Sequence, residues 1–279
     1  IDATELGRAY PTAVALIGDA RLGLAALAAA AAATPGGDRA AWHAELAATR
    51  REWETAVEPQ RRSETAPLHY ARICHDAGQV VAALDPELPV FVDTGHLLSF
   101  APPFLGAASR NIAHCGFYHR MGWSASAIIG ASLARGGGPA LALIGDGSFL
   151  MGGTAVATAV EQDLPLVWVV LNNRSLQIER ELMHRLYGRT AFCDYRLAKT
   201  GELWNPDLGK WAEAMGARAT KVQTAAAFAP ALRRALEGRA PHVIDVDVSL
   251  EVEGYRSIWY SYPRNFFETW APGPLEKPA

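Results

Sequence analysis

The 279-residue chain is 50% hydrophobic and 20% charged, the balance of a folded protein of one or two domains rather than a disordered one. Its 26 Lys and Arg stand against 29 Asp and Glu, and a net charge of -3 gives no electrostatic footprint for nucleic acid or an anionic membrane. Cys74, Cys115 and Cys193 form no CxxC pair, which argues against a disulfide framework or a thiolate zinc site and fits a reducing cytoplasm.

Val14 to Ile17 reads as a short strand, followed by an alanine-rich helix from Leu22 to Ala33 that Asp19 is placed to cap. No apolar run reaches the roughly 18 residues of a membrane span. The N-terminus shows neither an initiator methionine nor the basic and apolar regions of a signal peptide. Thr34 to Asp38 breaks the helix, and Arg39 to Val57 resumes as an amphipathic surface helix carrying Trp42, Leu46 and Trp53. Glu58 to Arg62, with Pro59, reads as a linker. From Pro67 the pattern alternates: helix His69 to Leu84, strand Val90 to Asp93, helix Gly122 to Ala134, strand Ala140 to Ile144, helix Thr154 to Gln162, strand Leu166 to Leu171. It continues with helix Pro206 to Met215, strand Ala217 to Val222, helix Thr224 to Leu236 and strand His242 to Val248. Such a series predicts an α/β fold, a doubly wound parallel sheet with helices on both faces. Beyond Glu251 the tail concentrates Tyr255, Trp259, Tyr260, Tyr262, Phe266, Phe267 and Trp270, which predicts packing over this domain or a partner.

Ligands of open α/β sheets bind beyond the carboxyl ends of the strands. There the strand Ala140 to Ile144 runs into Gly145-Asp146-Gly147-Ser148, and the strand Leu166 to Leu171 runs into Asn172-Asn173, so two polar clusters share one end of adjacent strands. Magnesium takes oxygens at about 2.1 Å from one or two carboxylate-type ligands plus substrate phosphates. Asp146 supplies an anionic oxygen and Asn173 a neutral amide oxygen, and a diphosphate already brings most of the negative charge. Gly145 and Gly147 let backbone N–H groups approach phosphate oxygens. Taken singly, Gly-Asp-Gly is a turn and Asn-Asn a loop. A dinucleotide fingerprint fails, because Leu150 stands at its third glycine position and Asp146 would repel a pyrophosphate lacking a metal. His114, Cys115 and His119 lack metal-ligand spacing.

Asp146 and Asn173, 27 residues apart with a helix and a strand between them, resemble the signature of thiamine-diphosphate-dependent enzymes, closest to the acetolactate-synthase-like branch. The likeness covers most of the chain. Residues 1–35 resemble the C-terminal piece of that branch's central domain, 36–66 a helical linker and 67–250 the diphosphate- and magnesium-binding domain, with 251–279 as the aromatic tail. The resemblance implies Asp146, Asn173 and the backbone carbonyl of Ser175 as magnesium ligands. Gly145, Gly147 and Ser148 would hold the diphosphate, and Thr94, Gly95 and His96 match the second phosphate-contacting loop, with His96 where glutamine is common. The segment Arg120 to Trp123 resembles the one beneath the bent cofactor. Met121 would wedge between its two rings, while the Met121 N–H and His119 carbonyl bind the pyrimidine. Gln177, Ile178, Glu179 and Leu182 match positions lining the reaction centre: Ile178 as a cofactor contact, Gln177 and Glu179 as catalytic candidates, Glu179 as acid or base. Acetolactate synthases typically carry an apolar residue and a tryptophan where Glu179 and Leu182 stand, a departure that speaks against acetolactate formation itself.

The resemblance implies thiamine diphosphate with Mg2+ and an enzyme that forms or cleaves a carbon–carbon bond next to a carbonyl. The expected chemistry is decarboxylation of a 2-oxo acid and carboligation of the resulting acyl-anion equivalent. A 2-oxo acid decarboxylase or a C–C hydrolase on the same cofactor is the alternative, and a non-catalytic structural or regulatory subunit is the alternative of another class. In the family a glutamate from a separate pyrimidine-binding domain activates the cofactor, and no such domain is found in this chain. The expectation is therefore a split or cleaved polypeptide in a higher oligomer, whose companion chain carries the pyrimidine-binding domain and most of the central domain. Val14 to Ile17 would then complete the companion's sheet. The branch also allows FAD, which no motif of this chain supports. The expected small-molecule partner is a carbonyl compound or 2-oxo acid, with neither nucleic acid nor membrane.

Overall fold

The computed structural model describes residues 2–7, 11–34, 36–106 and 108–251. The aromatic positions from Tyr255 to Trp270, expected to pack over this domain or a partner, lie outside the described residues. Contacts divide the chain into two compact units, Ile1–Ala56 and Val57–Ala279. In the first, helix α1 (Ala20–Ala33) starts where the Asp19 carboxylate accepts a hydrogen bond from the Leu22 N–H at 3.1 Å, as read from the sequence. The strand expected at Val14 to Ile17 does not form, and Val14, Leu16 and Ile17 are exposed. A strand exists only as a member of a ladder, and the six strands of the sheet pair among themselves.

Helix α2 (Ala40–Arg61) runs through Pro59, where a linker was expected. Pro59 sits in the last turn, where it removes a single backbone donor. The Arg62 N–H still reaches the Glu58 carbonyl at 3.1 Å, and the Glu58 carboxylate pairs with Arg61 and Arg62.

The second unit runs in the order α3 (Tyr70–Leu84), β1 (Val90–Val92), α4 (Leu97–Leu105), β2 (Ile112–His114), α5 (Trp123–Ala134), β3 (Ala140–Gly145), α6 (Asp146–Gly152) and α7 (Ala155–Glu161). After these come β4 (Leu166–Asn172), α8 (Gln177–Tyr187), α9 (Leu208–Ala214), β5 (Arg218–Val222), α10 (Ala225–Glu237) and β6 (His242–Asp247). All strand pairs are parallel, in the order β2-β1-β3-β4-β6-β5. The doubly wound parallel sheet read from the alternation is the fold that forms.

Alternation along the strands divides the core. Ala140, Ala142 and Ile144 of β3 and Leu166, Trp168 and Val170 of β4 pack with Ile128 of α5, Phe149 of α6, Val156 of α7 and Leu208 of α9. The intervening residues Leu141, Leu143, Val167 and Val169 are equally buried on the other face, where α3 packs against α4 and α10. Burial on both faces explains why these strands are continuous apolar runs. Trp168, the largest fully buried side chain, satisfies its indole N–H on the Ala125 carbonyl at 3.2 Å.

From β1 the chain crosses to β2 on one side and then returns to β3 on the other. With right-handed crossovers, successive helices therefore switch faces here, and a crevice opens at the carboxyl ends of β1 and β3. Among the described residues, the α-helices and strands not read from the sequence are α4, which contains Pro102 and Pro103, the three-residue edge strand β2, and α6 and α8, which start at or soon after strand ends.

Candidate active site

The crevice holds a cavity of about 880 Å³. Thr94, Gly95 and His96 come from the exit of β1, His119 and Met121 from the segment before α5, and Gly145, Asp146, Gly147 and Ser148 from the β3–α6 junction. Asn173, Ser175, Gln177, Ile178 and Glu179 come from the turn after β4 and the first turn of α8. Every residue singled out as a metal, cofactor or catalytic candidate thus lines one cavity; Leu182, further along α8, is not among its lining residues. Pairing of Gly145 with Leu171 puts the exits of β3 and β4 side by side.

Asp146 is 2% exposed. Its Oδ1 accepts from the Gly147 N–H at 2.8 Å, and its Oδ2 accepts from the Arg174 N–H at 2.6 Å and from Asn205 Nδ2 at 3.2 Å. Burial pushes its pKa up to about 7, against the pull of the two backbone donors and with a further push from Asp245. A buried carboxylate with neutral amide and carbonyl oxygens beside it is a donor set that suits a hard divalent cation. The Asn173 amide is oriented by the Ser175 N–H, which donates to its Oδ1 at 3.0 Å, and by Gln177 Oε1, which accepts from its Nδ2 at 3.3 Å. Among the described residues no group of three His, Cys, Asp or Glu side chains is placed to hold a metal.

The space at Gly147 is taken up by the ends of three side chains. A Cβ there would overlap the Tyr195 hydroxyl, reach 2.9 Å from Leu176 Cδ2 and 3.2 Å from Met121 Cε. Met121 therefore already leans over the Asp146 turn. Its loop is fixed from below by Asp93, fully buried at the end of β1, whose two carboxylate oxygens accept from the Gly122 N–H at 3.0 Å and the Ser124 N–H at 2.7 Å. This cap on α5 places a negative charge at a helix N-terminus.

His96 is built into the cavity wall. Its ring packs against Tyr70 and Phe100, and its Nδ1 lies 3.3 Å from Glu181 Oε1. Burial, with the charges of Asp146 and Glu181, holds the Tyr70 phenol well above its ordinary pKa; burial and Asp146 do the same for Tyr195. Gln177 is buried and committed: besides Asn173, its Nε2 donates to Glu181 at 3.3 Å and to the Leu250 carbonyl at 3.1 Å. Glu179 lines the same cavity but is exposed.

Sequence reading missed Asp93, Tyr195 and Asn205. Only Asp93 carried a signal, as a lone acid ending an apolar strand. Asn205 Nδ2 bridges Asp146 and Asn172 Oδ1, the latter at 3.0 Å, from 59 and 33 residues away, a separation with no sequence signature.

A parallel sheet with a buried acid and an amide on neighbouring strand exits defines an α/β domain with a polar crevice at the carboxyl ends of its strands. Residues 93–246, more than half of the chain, match the family of thiamine pyrophosphate enzymes at its C-terminal TPP binding domain. A Bacillus subtilis protein named as thiamine pyrophosphate-containing, YdaP, is 30% identical over 269 residues, 95% of this chain and 44% of its own length. A Methanocaldococcus jannaschii protein named as a probable acetolactate synthase large subunit is 26% identical, covering 88% of this chain and 41% of its own. The sulfoacetaldehyde acetyltransferase of Alcaligenes xylosoxydans xylosoxydans is 28% identical, covering 85% and 41%. The chain belongs to the thiamine pyrophosphate enzymes and carries their C-terminal cofactor-binding domain. It spans about two fifths of the length of these curated relatives.

Proposed function

We propose that the chain is the diphosphate-binding part of a thiamine-diphosphate-dependent enzyme that forms or cleaves a carbon–carbon bond next to a carbonyl, decarboxylating a 2-oxo acid and transferring the acyl unit to a second carbonyl. The observation that carries this reading is the buried Asp146 carboxylate beside the Asn173 turn, at adjacent strand exits in one cavity. Thiamine diphosphate, when bound, supplies a nucleophilic carbon and an electron sink.

Asp146, Asn173 and the Ser175 carbonyl hold Mg2+. Gly145, Gly147 and Ser148 hold the diphosphate from one lip of the crevice, and Thr94, Gly95 and His96 from the other. The His119 carbonyl and the Met121 N–H would hold the pyrimidine, with the Met121 and Ile178 side chains as apolar contacts to the cofactor. Glu179, exposed at the cavity, exchanges a proton with the substrate carbonyl. Gln177 orients Asn173 through the bond between their amides. The carboxylate that activates the pyrimidine comes from a domain other than those described, in the same or a companion polypeptide. The support is that the curated relatives are more than twice as long as the stretch aligned to this chain.

Calorimetric titration of thiamine diphosphate into the purified protein with Mg2+ tests the reading. Saturable binding that Asp146→Ala and Asn173→Ala each abolish is expected, with CO2 release from a 2-oxo acid in the assembled enzyme. Absence of saturable binding, or variants that bind as well as the parent, would sink it.

A further inference from the structure

Behind the Asp146 turn lies an ionic network that the cofactor reading does not use. Asp245 and Asp247 stand two residues apart on β6, and both side chains lie on one face. Lys221, paired in register with Asp245 from the edge strand β5, reaches both: its Nζ donates to Asp245 Oδ2 at 2.9 Å and to Asp247 Oδ1 at 2.7 Å. Asp247 is held again by Gln223 Nε2 at 2.9 Å and by Arg174 Nη2 at 3.0 Å, and Asn172 Nδ2 donates to Asp245 Oδ1 at 3.0 Å.

Arg174 lies between Asn173 and Ser175 and adopts φ 62°, a left-handed conformation uncommon for a residue with a side chain. Three ties hold it there. Its N–H donates to Asp146, its carbonyl accepts from the Tyr195 N–H at 2.8 Å, and its guanidinium is clamped by Asp247. The last tie depends on where Asp247 points, and Lys221 and Gln223 fix that from the sheet edge.

We propose that Lys221 is a positioning residue for the cation site: through Asp247 and Arg174 it holds the turn 173–175 in the conformation that presents Asn173 and the Ser175 carbonyl beside Asp146. This rests on the assignment of Asp146, Asn173 and Ser175 as cation ligands. Two cations, Lys221 and Arg174, balance two carboxylates, Asp245 and Asp247. Replacing Lys221 by an apolar residue therefore leaves one uncompensated negative charge near Asp146. Acting through space alone, that charge would draw a divalent cation more tightly; acting through lost geometry, the same change weakens binding. The two effects have opposite signs.

The test is Mn2+ binding to the purified protein in the presence of thiamine diphosphate, read from the free-ion electron paramagnetic resonance signal. Lys221→Met is expected to weaken Mn2+ by roughly 10-fold or more, the scale for residues that orient metal ligands, and Lys221→Arg by much less. The double variant Lys221→Met with Asp247→Asn restores the charge balance but not the clamp, and is expected to stay weak. If Lys221→Met fails to fold, Lys221→Gln, which likewise removes the cation and whose shorter side chain gives up the bridge to both carboxylates, decides the matter: weaker Mn2+ binding supports the clamp, and parental or tighter binding overturns it. Parental or tighter binding by Lys221→Met, or recovery in the double variant, overturns the proposal while leaving the cation site intact. A parent protein that binds no Mn2+, or binds it undiminished after Asp146→Ala, overturns the ligand assignment and this proposal together.

Discussion

The Asp93 cap permits a quantitative prediction. Its carboxylate is fully buried, and both oxygens are used, on the Gly122 and Ser124 N–H groups that open α5. Asp93→Ala leaves two buried donors without acceptors, each costing about 1–3 kcal/mol, so the expected loss is about 3 kcal/mol. In a domain of this size 1 kcal/mol corresponds to roughly 2–4 °C in melting temperature, which places the shift near 6–12 °C. Asp93→Asn keeps the shape and one acceptor but turns an amide N–H2 toward the second donor, and should lose about half as much. Thermal unfolding followed by circular dichroism measures the shift, and urea unfolding gives the free energy independently. Because Met121 directly precedes the capped residue, the affinity for thiamine diphosphate should fall in the same order. An Asp93→Ala protein that melts within about 2 °C of the parent, less than 1 kcal/mol by the same conversion, would refute the argument that this carboxylate holds the start of α5.

Three further outcomes follow from the packing, the hydrogen bonding and the titrating groups. Gly152→Ala puts a Cβ 2.6 Å from the Gly122 carbonyl and 3.1 Å from the Ala125 Cβ, at a contact made partly by backbone that cannot yield. It should cost about 1–3 kcal/mol, and an unchanged melting curve would show that α5 and α6 do not pack this closely. Asn205→Ala removes the donor shared by Asp146 and Asn172; about 1 kcal/mol of stability and part of the cofactor affinity should go with it, and calorimetry that finds both unchanged would remove Asn205 from the site. Burial, with Arg218 and Arg234, holds the pKa of His242 below its ordinary value, while its Nε2 lies 2.8 Å from Thr220 Oγ1. Since the unfolded chain binds this proton first, the contribution of His242 is full above about pH 6.5 and is lost as pH falls from there through the lower folded value. The urea midpoint should therefore be lower at about pH 5.5 than at about pH 7.5, with a smaller drop in His242→Gln; an equal drop in both proteins would exclude His242 as a source.

The alternating architecture was legible because strands buried on both faces are written as uninterrupted apolar runs, as in Leu166 to Leu171, and helices as periodic ones. Asp146 and Asn173 could be brought together on paper for a related reason: consecutive parallel strands joined by one crossover are usually neighbours. The elements that escaped notice are those whose local signal is weak or contrary. Three residues of β2 are too few to show a period, Pro102 and Pro103 argue against a helix that burial nevertheless stabilises, and α6 starts at a Gly-Asp-Gly that reads as a turn. Val14 to Ile17 is the opposite case, an apolar run with the propensity of a strand that finds no ladder within this chain, the companion's sheet being where it was expected to pair.

Residue types and their spacing by themselves determined the α/β fold and set Asp146 and Asn173 at neighbouring strand exits, and the resemblance to thiamine-diphosphate-dependent enzymes named the other residues gathered around the cavity. Only the tertiary structure decided what holds those residues in place: Asp93 beneath Gly122, Asn205 between Asp146 and Asn172, and Lys221 clamping Asp247 onto Arg174. Strand and helix signals repeat within a few residues because backbone geometry is periodic. A hydrogen bond between side chains as many as 73 positions apart has no period, and it exists only once the sheet has set the distance between them.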